Sequence, residues 1–565
     1  MSEVEALSAQ RAPMEEIPMD TSVLIIGGGW SGMKVAAELT TMGYGVVLAV
    51  GGTSIGGESF GDHSASVNKK ALAALLDSVK EAEGIEILTS TNLVSLTGVP
   101  GSFHARFQQG GESFERAVGA VVVALETQRV SLAAAYGLSK DENILTLSQL
   151  EHLFATGEDK DRVLGGGSED VLFLVGLQQE GNPVVMERTI QSAINVQDAE
   201  GLQATILAGN VKLAQHGLET LYKESREKGV LFFKLRETPH IKQNGMDVSI
   251  EFFDNVLHDG VVLRPDVLVV EEAIRSHPQA SDVAQVLGID RDAEGFLQPD
   301  NVHFFPTRSN REGIYVVGPA RLPSSLAEGW KDAQNAVLEV RQLLGKGKRV
   351  VPGEKAKIHR GKCTICLTCF RVCPHGAIYW DNRAVISPVA CQGCGICASE
   401  CPMDAIQLLD FRDDQIEEQI LQVSTTSVEG PQMIAFCCQN SAYEAAQMAR
   451  VVGGSLPKGL QIVKVPCAGK VDVDYILTAF KAGVDGVLVL ACHRDNCKSQ
   501  QGNTFAEWRV EHAGKMLEES GLESKRLHFA TIASNMPMEF VRITKEMEDK
   551  LNQLGPSRIK TGAAA

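Results

Sequence analysis

Two closely related stretches decide how this chain is interpreted: CTICLTCFRVCP at residues 363–374 and CQGCGICASECP at residues 391–402. Each has the pattern C-x2-C-x2-C-x3-C-P, and each is followed at the same distance by Ala-Ile, at 377–378 and at 405–406. A repeat of this kind is typical of a domain whose two halves are related by a pseudo-twofold axis. The stretches therefore predict one small domain with two similar sites.

The cysteine spacing indicates the chemistry of these sites. In this pattern three thiolates of a tight loop hold one [4Fe–4S] cluster, and the fourth cysteine ligates the other cluster. The alternatives are zinc knuckles and disulfides, but zinc sites pair two C-x2-C hooks across a longer gap. We therefore predict a bacterial-type 2[4Fe–4S] ferredoxin domain, which moves electrons one at a time. The predicted ligand sets are Cys363, Cys366, Cys369 and Cys401 for one cluster, and Cys391, Cys394, Cys397 and Cys373 for the other.

The whole-chain composition narrows the class of protein. A length of 565 residues suits roughly three or four domains, and a net charge of −18 argues against nucleic acid or anionic lipid as a partner. No apolar run approaches the roughly 18 residues of a membrane span, and the acidic start lacks a signal-peptide pattern. All 13 cysteines follow residue 360, which fits metal ligation in a reducing compartment. We expect a cytoplasmic protein that reaches a membrane only through partners.

The N-terminal region begins with the glycine pattern of a dinucleotide-binding turn. A strand at 23–26 is followed by G-x-G-x-x-G and a helix pattern, in which the glycines form the turn, admit a pyrophosphate and let the helix pack closely. The next strand ends in Val50, where an acidic residue usually binds the ribose hydroxyls. Two interpretations therefore stay open: the region binds FAD, or it keeps the dinucleotide-binding fold and has lost the ligand. The predicted cofactor contacts in this turn are Gly27, Gly28, Gly29, Ser31 and Gly32.

The C-terminal region repeats a strand–loop–helix pattern in which strands end in cysteine. Apolar runs at 433–436, 460–465 and 484–490 predict buried parallel strands, whose carboxyl ends gather ligands at one edge of a sheet. Five thiols suffice for a [2Fe–2S] cluster with one spare, and buried structural cysteines are the alternative. Which of the two adjacent cysteines is a ligand stays open. The candidates are Cys437, Cys438, Cys467, Cys492 and Cys497.

This C-terminal region resembles the delta subunit of methyl-viologen-reducing hydrogenase. The likeness rests on Cys437-Cys438, on VPCAGKVD at 465–472 and on GVDGVLV at 483–489 leading to Cys492-His493. Relatives usually have a further cysteine where this chain has Ser441. The resemblance implies a [2Fe–2S] electron carrier.

Residues 22–345 resemble the A-type subunit of heterodisulfide reductase, an FAD-binding protein that also carries ferredoxin motifs. The likeness includes SIGG at 54–57 and GIYVVG at 313–318, a segment that ends near the flavin in that family and so implies Gly318 as a further contact. The family's Ala-Thr-Gly turn reads Ala-Leu-Glu at 124–126, and the cysteines of its extra cluster are absent from 58–200. No glycine triplet follows the strand predicted at 171–176, so no NAD(P)H site is predicted.

The combination of parts resembles the quinone-interacting membrane-bound oxidoreductase family, whose B-type subunit joins the same three. That resemblance implies an oxidoreductase subunit that relays electrons between adenylylsulfate reductase and menaquinone. The implied partners are a second flavoprotein and a membrane haem or iron–sulfur subunit. The alternatives are an electron-transfer adapter with a vestigial flavin domain and a subunit of a heterodisulfide reductase or hydrogenase complex. No catalytic side chain is predicted.

The predicted fold class is α/β, with a Rossmann-like FAD-binding region, a bacterial 2[4Fe–4S] ferredoxin insert and a C-terminal parallel α/β iron–sulfur domain. Composition shifts and breaker-rich stretches set the expected boundaries. These are a flexible lead at 1–20, the α/β region at 21–345 with a middle subdomain at about 136–310, a linker at 346–357, the ferredoxin domain at 358–410, a second linker at 411–430, the iron–sulfur domain at 431–555 and a flexible tail at 556–565.

Overall fold

The computed structural model describes residues 14–56, 66–157, 163–164, 169–297, 305–353, 355–424, 430–494 and 496–558. Gly57, residues 1–13 of the predicted lead and residues 559–565 of the predicted tail lie outside these ranges. Within them the α/β class is confirmed, and the chain forms an N-terminal, a middle, a ferredoxin and a C-terminal domain.

The N-terminal domain is built on a five-stranded parallel sheet covered on both faces. Apart from the edge strand Ile85–Leu88, its strands are largely apolar and buried, as expected where both faces of a sheet are covered. Helices cover one face, and a three-stranded antiparallel sheet and a short helix cover the other. In spatial order the parallel strands are Ile314–Val316, Ala120–Val123, Ser22–Ile26, Gly45–Ala49 and Ile85–Leu88. The helices are Trp30–Thr41, Ser66–Glu81 and Leu326–Leu344 on the first face and Ala280–Leu287 on the second, where the antiparallel strands are Thr91–Val99, Ser102–Gln109 and Glu112–Val118.

The middle domain is a second five-stranded parallel sheet, joined to the first domain by an antiparallel pair of strands. Residues 280–297 pack on the N-terminal sheet, so this domain ends near residue 275 and not at the predicted 310. In spatial order its parallel strands are Ile144–Thr146, Val267–Val270, Asp170–Val175, Gln203–Ala208 and Leu231–Lys234. Its helices are Ala133–Tyr136 (a 3-10 helix), Leu147–Thr156, Pro183–Gln197 and Leu218–Glu227. Its antiparallel sheet consists of His240–Asn244, Asp247–Asp254 and Asp259–Leu263. The two strands that join it to the first domain are Gln128–Ser131 and Glu272–Arg275.

The predicted lead and the first predicted linker form secondary structure together. Met14–Pro18 pairs antiparallel with Lys348–Pro352, from Met14 opposite Pro352 to Pro18 opposite Lys348. The predictions of a flexible segment through residue 20 and of a linker at 346–357 are therefore wrong for these residues. Backbone hydrogen bonds to a distant segment, which local composition does not reveal, order them.

The ferredoxin domain is small and has the pseudo-twofold form that its repeat predicts. Each half contributes one short helix after its cysteine loop, Thr368–Val372 and Ile396–Ser399. Two antiparallel strand pairs complete the domain, Ala356–Ile358 with Ile406–Leu408 and Ile378–Trp380 with Ala384–Ile386.

The C-terminal domain is a four-stranded parallel sheet between two layers of helices. The second predicted linker is wrong in part, because Asp413–Ser424 is a helix whose Ile416 and Ile420 are buried against this sheet. The predicted tail is also ordered at its start, since the buried Ser557 donates its N–H to Asp485 Oδ1 at 3.0 Å. In spatial order the strands are Leu460–Val465, Met433–Cys438, Gly486–Ala491 and Leu527–Thr531. The other helices are Ala442–Val451, Val473–Lys481, Gly502–Glu519 and Pro537–Leu554, with 3-10 turns at Ala468–Lys470 and Ser524–Arg526.

Candidate functional site: three cysteine quartets and a dinucleotide turn

The first cysteine quartet contains the four residues that the crossed ligand pattern predicts. Cys363, Cys366 and Cys369 line one small cavity together with Cys401 from the other half of the repeat. Burial raises the pKa of the Cys369 thiol, and the nearby Cys401, Cys363 and Cys366 raise it further. This position therefore disfavours the bare thiolate of Cys369, and a bound cation would offset that cost.

The backbone of this loop has a shape that its residue types do not favour. Ile365 and Leu367 have φ values of 61° and 58°, in the left-handed region where a β-branched residue is a genuine outlier. The equivalent positions in the other half are Gly393 and Gly395, with φ values of 66° and 85°. Because both loops adopt this shape, and only one has the glycines that favour it, the need to turn three thiols toward one point imposes it.

The second quartet follows the same crossed arrangement, with Cys391 buried and its other three thiols partly buried. Burial raises the pKa of the Cys397 thiol, and Cys394, Cys373 and Cys391 add to the rise in that order. Burial likewise raises the pKa of Cys394 to about 12, with Cys373 and Cys391 again contributing. Cys373, which comes from the first half of the repeat, therefore lies among the thiols of the second half.

A matching pair of backbone hydrogen bonds holds the two crossing cysteines. Ala377 N–H donates to Cys373 Sγ at 3.4 Å, and Ala405 N–H donates to Cys401 Sγ at 3.3 Å. Donors aimed at sulfur stabilise the thiolate form that a metal ligand needs. The structure thus places all eight predicted cubane ligands in two groups of four.

The third quartet lies at the carboxyl ends of the C-terminal strands. Cys438 Sγ is 3.5 Å from Cys492 Sγ, and hydrogen bonds from Cys467 and Cys492 lower the pKa of Cys438. The same two thiols lower the pKa of Cys497. These four cysteines therefore form a closed ring of neighbouring thiols, which has the ligand number of a [2Fe–2S] cluster.

Cys437, the fifth candidate, lies on the opposite face of the same strand. Successive strand residues point to opposite faces, and Cys437 is buried with Ala442, Ala446 and Leu490 in the core behind the sheet. Burial raises the pKa of its thiol. The sequence did not decide which of Cys437 and Cys438 is the candidate ligand. The structure favours Cys438, because of these two residues only Cys438 faces the other thiols.

The start of the helix Gly502–Glu519 closes the third quartet. A Cβ atom on Gly502 would overlap Cys467 Sγ, so only glycine lets the helix approach this closely. Asn503 Nδ2 donates to Cys492 O at 3.1 Å and to His493 O at 2.9 Å, which fixes the loop that carries Cys492. The partial positive charge of a helix N-terminus favours a negatively charged thiolate cluster beside it.

The second and third quartets belong to loops that contact each other. Ile396 Cγ1 lies 2.8 Å from the position that a Cβ on Gly469 would take, and Ile396 Cδ1 lies 3.5 Å from that of Gly502. Ser399 Oγ donates to Lys470 O at 2.7 Å. The side-chain stem of Lys470 packs directly on the Gly395 backbone, with its Cβ 2.9 Å from the position of a Cβ there. The two cysteine loops are therefore in direct contact.

The N-terminal domain also reaches the second quartet. Asn310 Nδ2 donates to Pro374 O at 3.4 Å, and the Arg311 guanidinium packs on Gly376. His375 is buried at this junction, and its Nε2 has no hydrogen-bond partner among the described residues. Sequence reasoning missed this histidine, whose signal is its position two residues after the crossing Cys373. Three domains therefore meet at the second quartet.

The predicted dinucleotide turn is present with the expected geometry. Gly27 has a φ of 114°, and a Cβ on it would overlap Ala124 O, so the turn requires glycine there. A Cβ on Gly32 would overlap Gly27 O, which explains the close packing of helix on strand. Ser31 Oγ is buried without a partner among the described residues. Gly318 lies beside Ser31, but its N–H donates to Asp332 Oδ2 at 3.0 Å.

The crevice in front of this turn is occupied by the chain's own side chains. Val50 Cγ2 lies 2.7 Å and Ile55 Cγ2 3.3 Å from the position of a Cβ on Gly28. Gly29, the glycine that admits the pyrophosphate in this motif, has the Glu126 carboxylate directly against it, and even Glu126 Cγ is 2.8 Å from the position of a Cβ. In this conformation the turn does not accommodate a dinucleotide diphosphate.

A larger cavity begins beside Glu126 and extends between the N-terminal and middle domains. It has a volume of about 700 Å³. Gln215 Nε2 donates to Glu187 Oε2 at 2.5 Å in its wall, and burial raises the pKa of Glu187. Residues of both charges line the cavity, among them Glu126, Arg129, Glu187, Arg188, Glu328 and Lys331.

Two family models match the cysteine-bearing part of the chain. Residues 433–555 match the model for the methyl-viologen-reducing hydrogenase delta subunit, and residues 362–405 match that for a 4Fe-4S dicluster domain. The iron-sulfur subunit of the vhu F420-non-reducing hydrogenase of Methanopyrus kandleri is 37% identical over 22% of this chain and 94% of that protein. The C-terminal domain belongs to the hydrogenase delta-subunit family. The resemblance seen in the sequence is confirmed for this domain.

The likeness to the A-type subunit of heterodisulfide reductase spans almost the whole chain. This subunit of the Ferredoxin:CoB-CoM heterodisulfide reductase of Methanosarcina mazei is 24% identical over 95% of this chain and 80% of that protein. The chain is therefore similar to that subunit over almost its whole length, and its C-terminal domain is of the hydrogenase delta type. Among solved structures, thioredoxin reductase of Lactococcus lactis aligns with 58% of this chain and 99% of that chain at 14% identity and a TM-score of 0.40. Among the described residues, no helix is long and apolar enough to span a bilayer.

Proposed function

We propose that the protein is the electron-transfer subunit of an oxidoreductase complex and relays single electrons through two [4Fe–4S] clusters and one [2Fe–2S] cluster. The observation that carries the proposal is the contact between the second and third cysteine quartets. Ile396 belongs to the loop of one quartet and packs against Gly469 and Gly502 beside the other. Because electron transfer slows steeply with distance, loops that touch favour direct transfer between their clusters.

The first quartet supplies the end of the relay that faces solvent. Cys366 is exposed, and the apolar side chains of Ile365, Phe370 and Met403 around this quartet are about half exposed. Apolar surface of this kind on a protein commonly marks an interaction site. We assign this face to the exchange of electrons with a separate redox protein.

The wider role follows from the combination of domains. Relatives of both parts are named as subunits of heterodisulfide reductase and of hydrogenase, so we place this chain in a complex with other subunits. We propose that the complex exchanges electrons between a soluble enzyme of sulfur metabolism, such as adenylylsulfate reductase, and a quinone-linked membrane partner. A second flavoprotein and a membrane haem or iron–sulfur subunit complete this scheme on the cytoplasmic side.

An adapter function without flavin is the second candidate. One observation favours it: the Glu126 carboxylate lies against Gly29, where the motif places the pyrophosphate. The cluster relay does not depend on this choice, because all three cysteine quartets lie outside the dinucleotide turn.

Metal analysis tests the relay directly. Anaerobically purified protein should contain about ten irons and about ten acid-labile sulfides per chain. A value of about eight irons would remove the third cluster from the proposal. Zinc in place of iron would refute the whole of it.

Kinetics test the order of the clusters. Freeze-quench electron paramagnetic resonance with reduced ferredoxin as donor should show slower reduction of the two-iron cluster in Cys373→Ala, which removes a ligand of the second quartet. Cys437→Ala is the matched control, because that thiol lies behind the sheet. Equal rates in wild type and Cys373→Ala would contradict transfer through the second quartet.

A further inference from the structure

The Glu126 carboxylate lies in the part of the fold that recognises phosphate. In a dinucleotide fold the second glycine of the turn leaves space for a pyrophosphate in front of the following helix. Here that glycine is Gly29, and the Glu126 side chain lies against it from the turn that follows the neighbouring strand Ala120–Val123. The helix Trp30–Thr41 has no capping side chain at Gly29. A negative charge therefore already lies beside the start of this helix.

We propose that Glu126 is an internal competitor for the dinucleotide diphosphate, so that FAD binds only when this carboxylate moves aside. This inference rests on the proposed function in one respect: the N-terminal domain must have the dinucleotide-binding fold. It does not depend on the cluster relay. It adds a residue that controls occupancy of the site, and it holds whether the flavin carries electrons or only completes the fold.

Charge and shape both favour competition. A helix N-terminus stabilises one nearby anion, and a diphosphate bound beside Glu126 would place like charges in contact. Val50 and Ile55 fill the adjoining space over Gly28 with hydrocarbon. Ser31 Oγ, buried at the same helix start without a partner among the described residues, is a polar group that a phosphate oxygen or a water could satisfy.

The neighbouring cavity gives the displaced carboxylate somewhere to go. Glu126 lines this space of about 700 Å³, and Arg129 and Lys331 line it too. A rotated Glu126 side chain would leave the helix terminus and enter a cavity lined by the basic side chains of Arg129 and Lys331. The site thus has two arrangements, one occupied by the chain itself and one open to a dinucleotide.

Titration with FAD tests the proposal on the full chain with its clusters in place. Flavin fluorescence and equilibrium dialysis give the dissociation constants of wild type, Glu126→Gly and Glu126→Gln. We expect at least about tenfold tighter binding for Glu126→Gly, the scale of one charged contact. Glu126→Gln keeps the volume and removes the charge, so its affinity should be intermediate. Glu112→Gln is the matched control, because it removes an exposed carboxylate of the strand Glu112–Val118, away from both Gly29 and the cavity, and should bind as wild type does.

Each result decides the matter. Equal affinities of wild type, Glu126→Gly and Glu126→Gln would overturn the proposal, as would the absence of FAD binding in all three. An equal gain in Glu112→Gln would also overturn it, since the effect would then be one of general charge. Circular dichroism of the same samples shows that each variant is folded, and their iron content reports separately on the cluster relay. Loss of iron in wild type would count against the proposed function and not against Glu126.

Discussion

Two adjacent cysteines on one strand allow the third quartet to be tested with a built-in control. Cys437 and Cys438 are both fully buried and differ only in the face of the sheet to which they point. Replacing Cys438 with alanine removes one of four neighbouring thiols. Replacing Cys437 with alanine removes a thiol from the core behind the sheet. The two variants therefore separate metal ligation from packing at one point of the fold.

The expected magnitudes follow from this geometry. Cys438→Ala should lower the iron content from about ten to about eight per chain, because a two-iron cluster with three protein ligands is not retained. Cys437→Ala should keep all the iron and lower the free energy of unfolding of this domain by about 1 kcal/mol, the usual cost of deleting a methyl-sized group from a core. Alanine is preferred to serine at this position because a hydroxyl buried among Ala442 and Leu490 would add a desolvation cost.

Chemical iron analysis and electron paramagnetic resonance of the dithionite-reduced proteins measure both outcomes. The two-iron signal should vanish in Cys438→Ala and persist in Cys437→Ala, while the signals of the two cubanes stay the same in both. Loss of the two-iron signal in Cys437→Ala, with its retention in Cys438→Ala, would refute the assignment of faces. Retention in both would show that these strand ends hold no cluster.

Two further predictions concern the other quartets. Cys401→Ala should remove the cubane built on the first loop, and combining it with Cys363→Ala should remove no second cubane; loss of both cubanes in folded protein would mean that each half of the repeat is self-contained. Gly502→Ala should lower two-iron occupancy without removing a ligand, because its Cβ would overlap Cys467 Sγ. Gly514→Ala in the same helix is its control, since its nearest neighbour would lie at 3.9 Å, and equal iron contents in the two glycine variants would refute the steric argument.

Features fixed by short-range sequence were predictable. The crossed cysteine pattern depends on ligand spacing within a few residues, and the structure groups Cys401 with the first loop and Cys373 with the second, as the pattern predicts; that these thiols ligate cubanes stays a prediction. The helix Asp413–Ser424 was missed although its signal was present, because Ile416, Ile420 and Val423 recur at helical spacing inside an otherwise polar segment. The acidic and polar residues between these positions make the segment look like a linker in the sequence.

Features that depend on distant segments could not be predicted. The pairing of Met14–Pro18 with Lys348–Pro352 joins strands more than 300 residues apart. Strand alternation alone shows that Cys437 and Cys438 face opposite ways, but only the completed sheet shows which face carries the other thiols. The position of Glu126 against Gly29 likewise needs the relative placement of two strand ends.

The position of the second quartet bears on the kind of relay that this chain forms. A linear wire would need each cluster to contact only the next one along it. Here Asn310 and Arg311 of the N-terminal domain reach the Pro374–Gly376 turn beside Cys373, and Ile396 joins the same quartet to the C-terminal domain. The first quartet adjoins it within the ferredoxin repeat and faces solvent through Cys366. In the proposed relay the second cluster would therefore lie between the first and the third, and the N-terminal domain would contact its loop through Asn310 and Arg311.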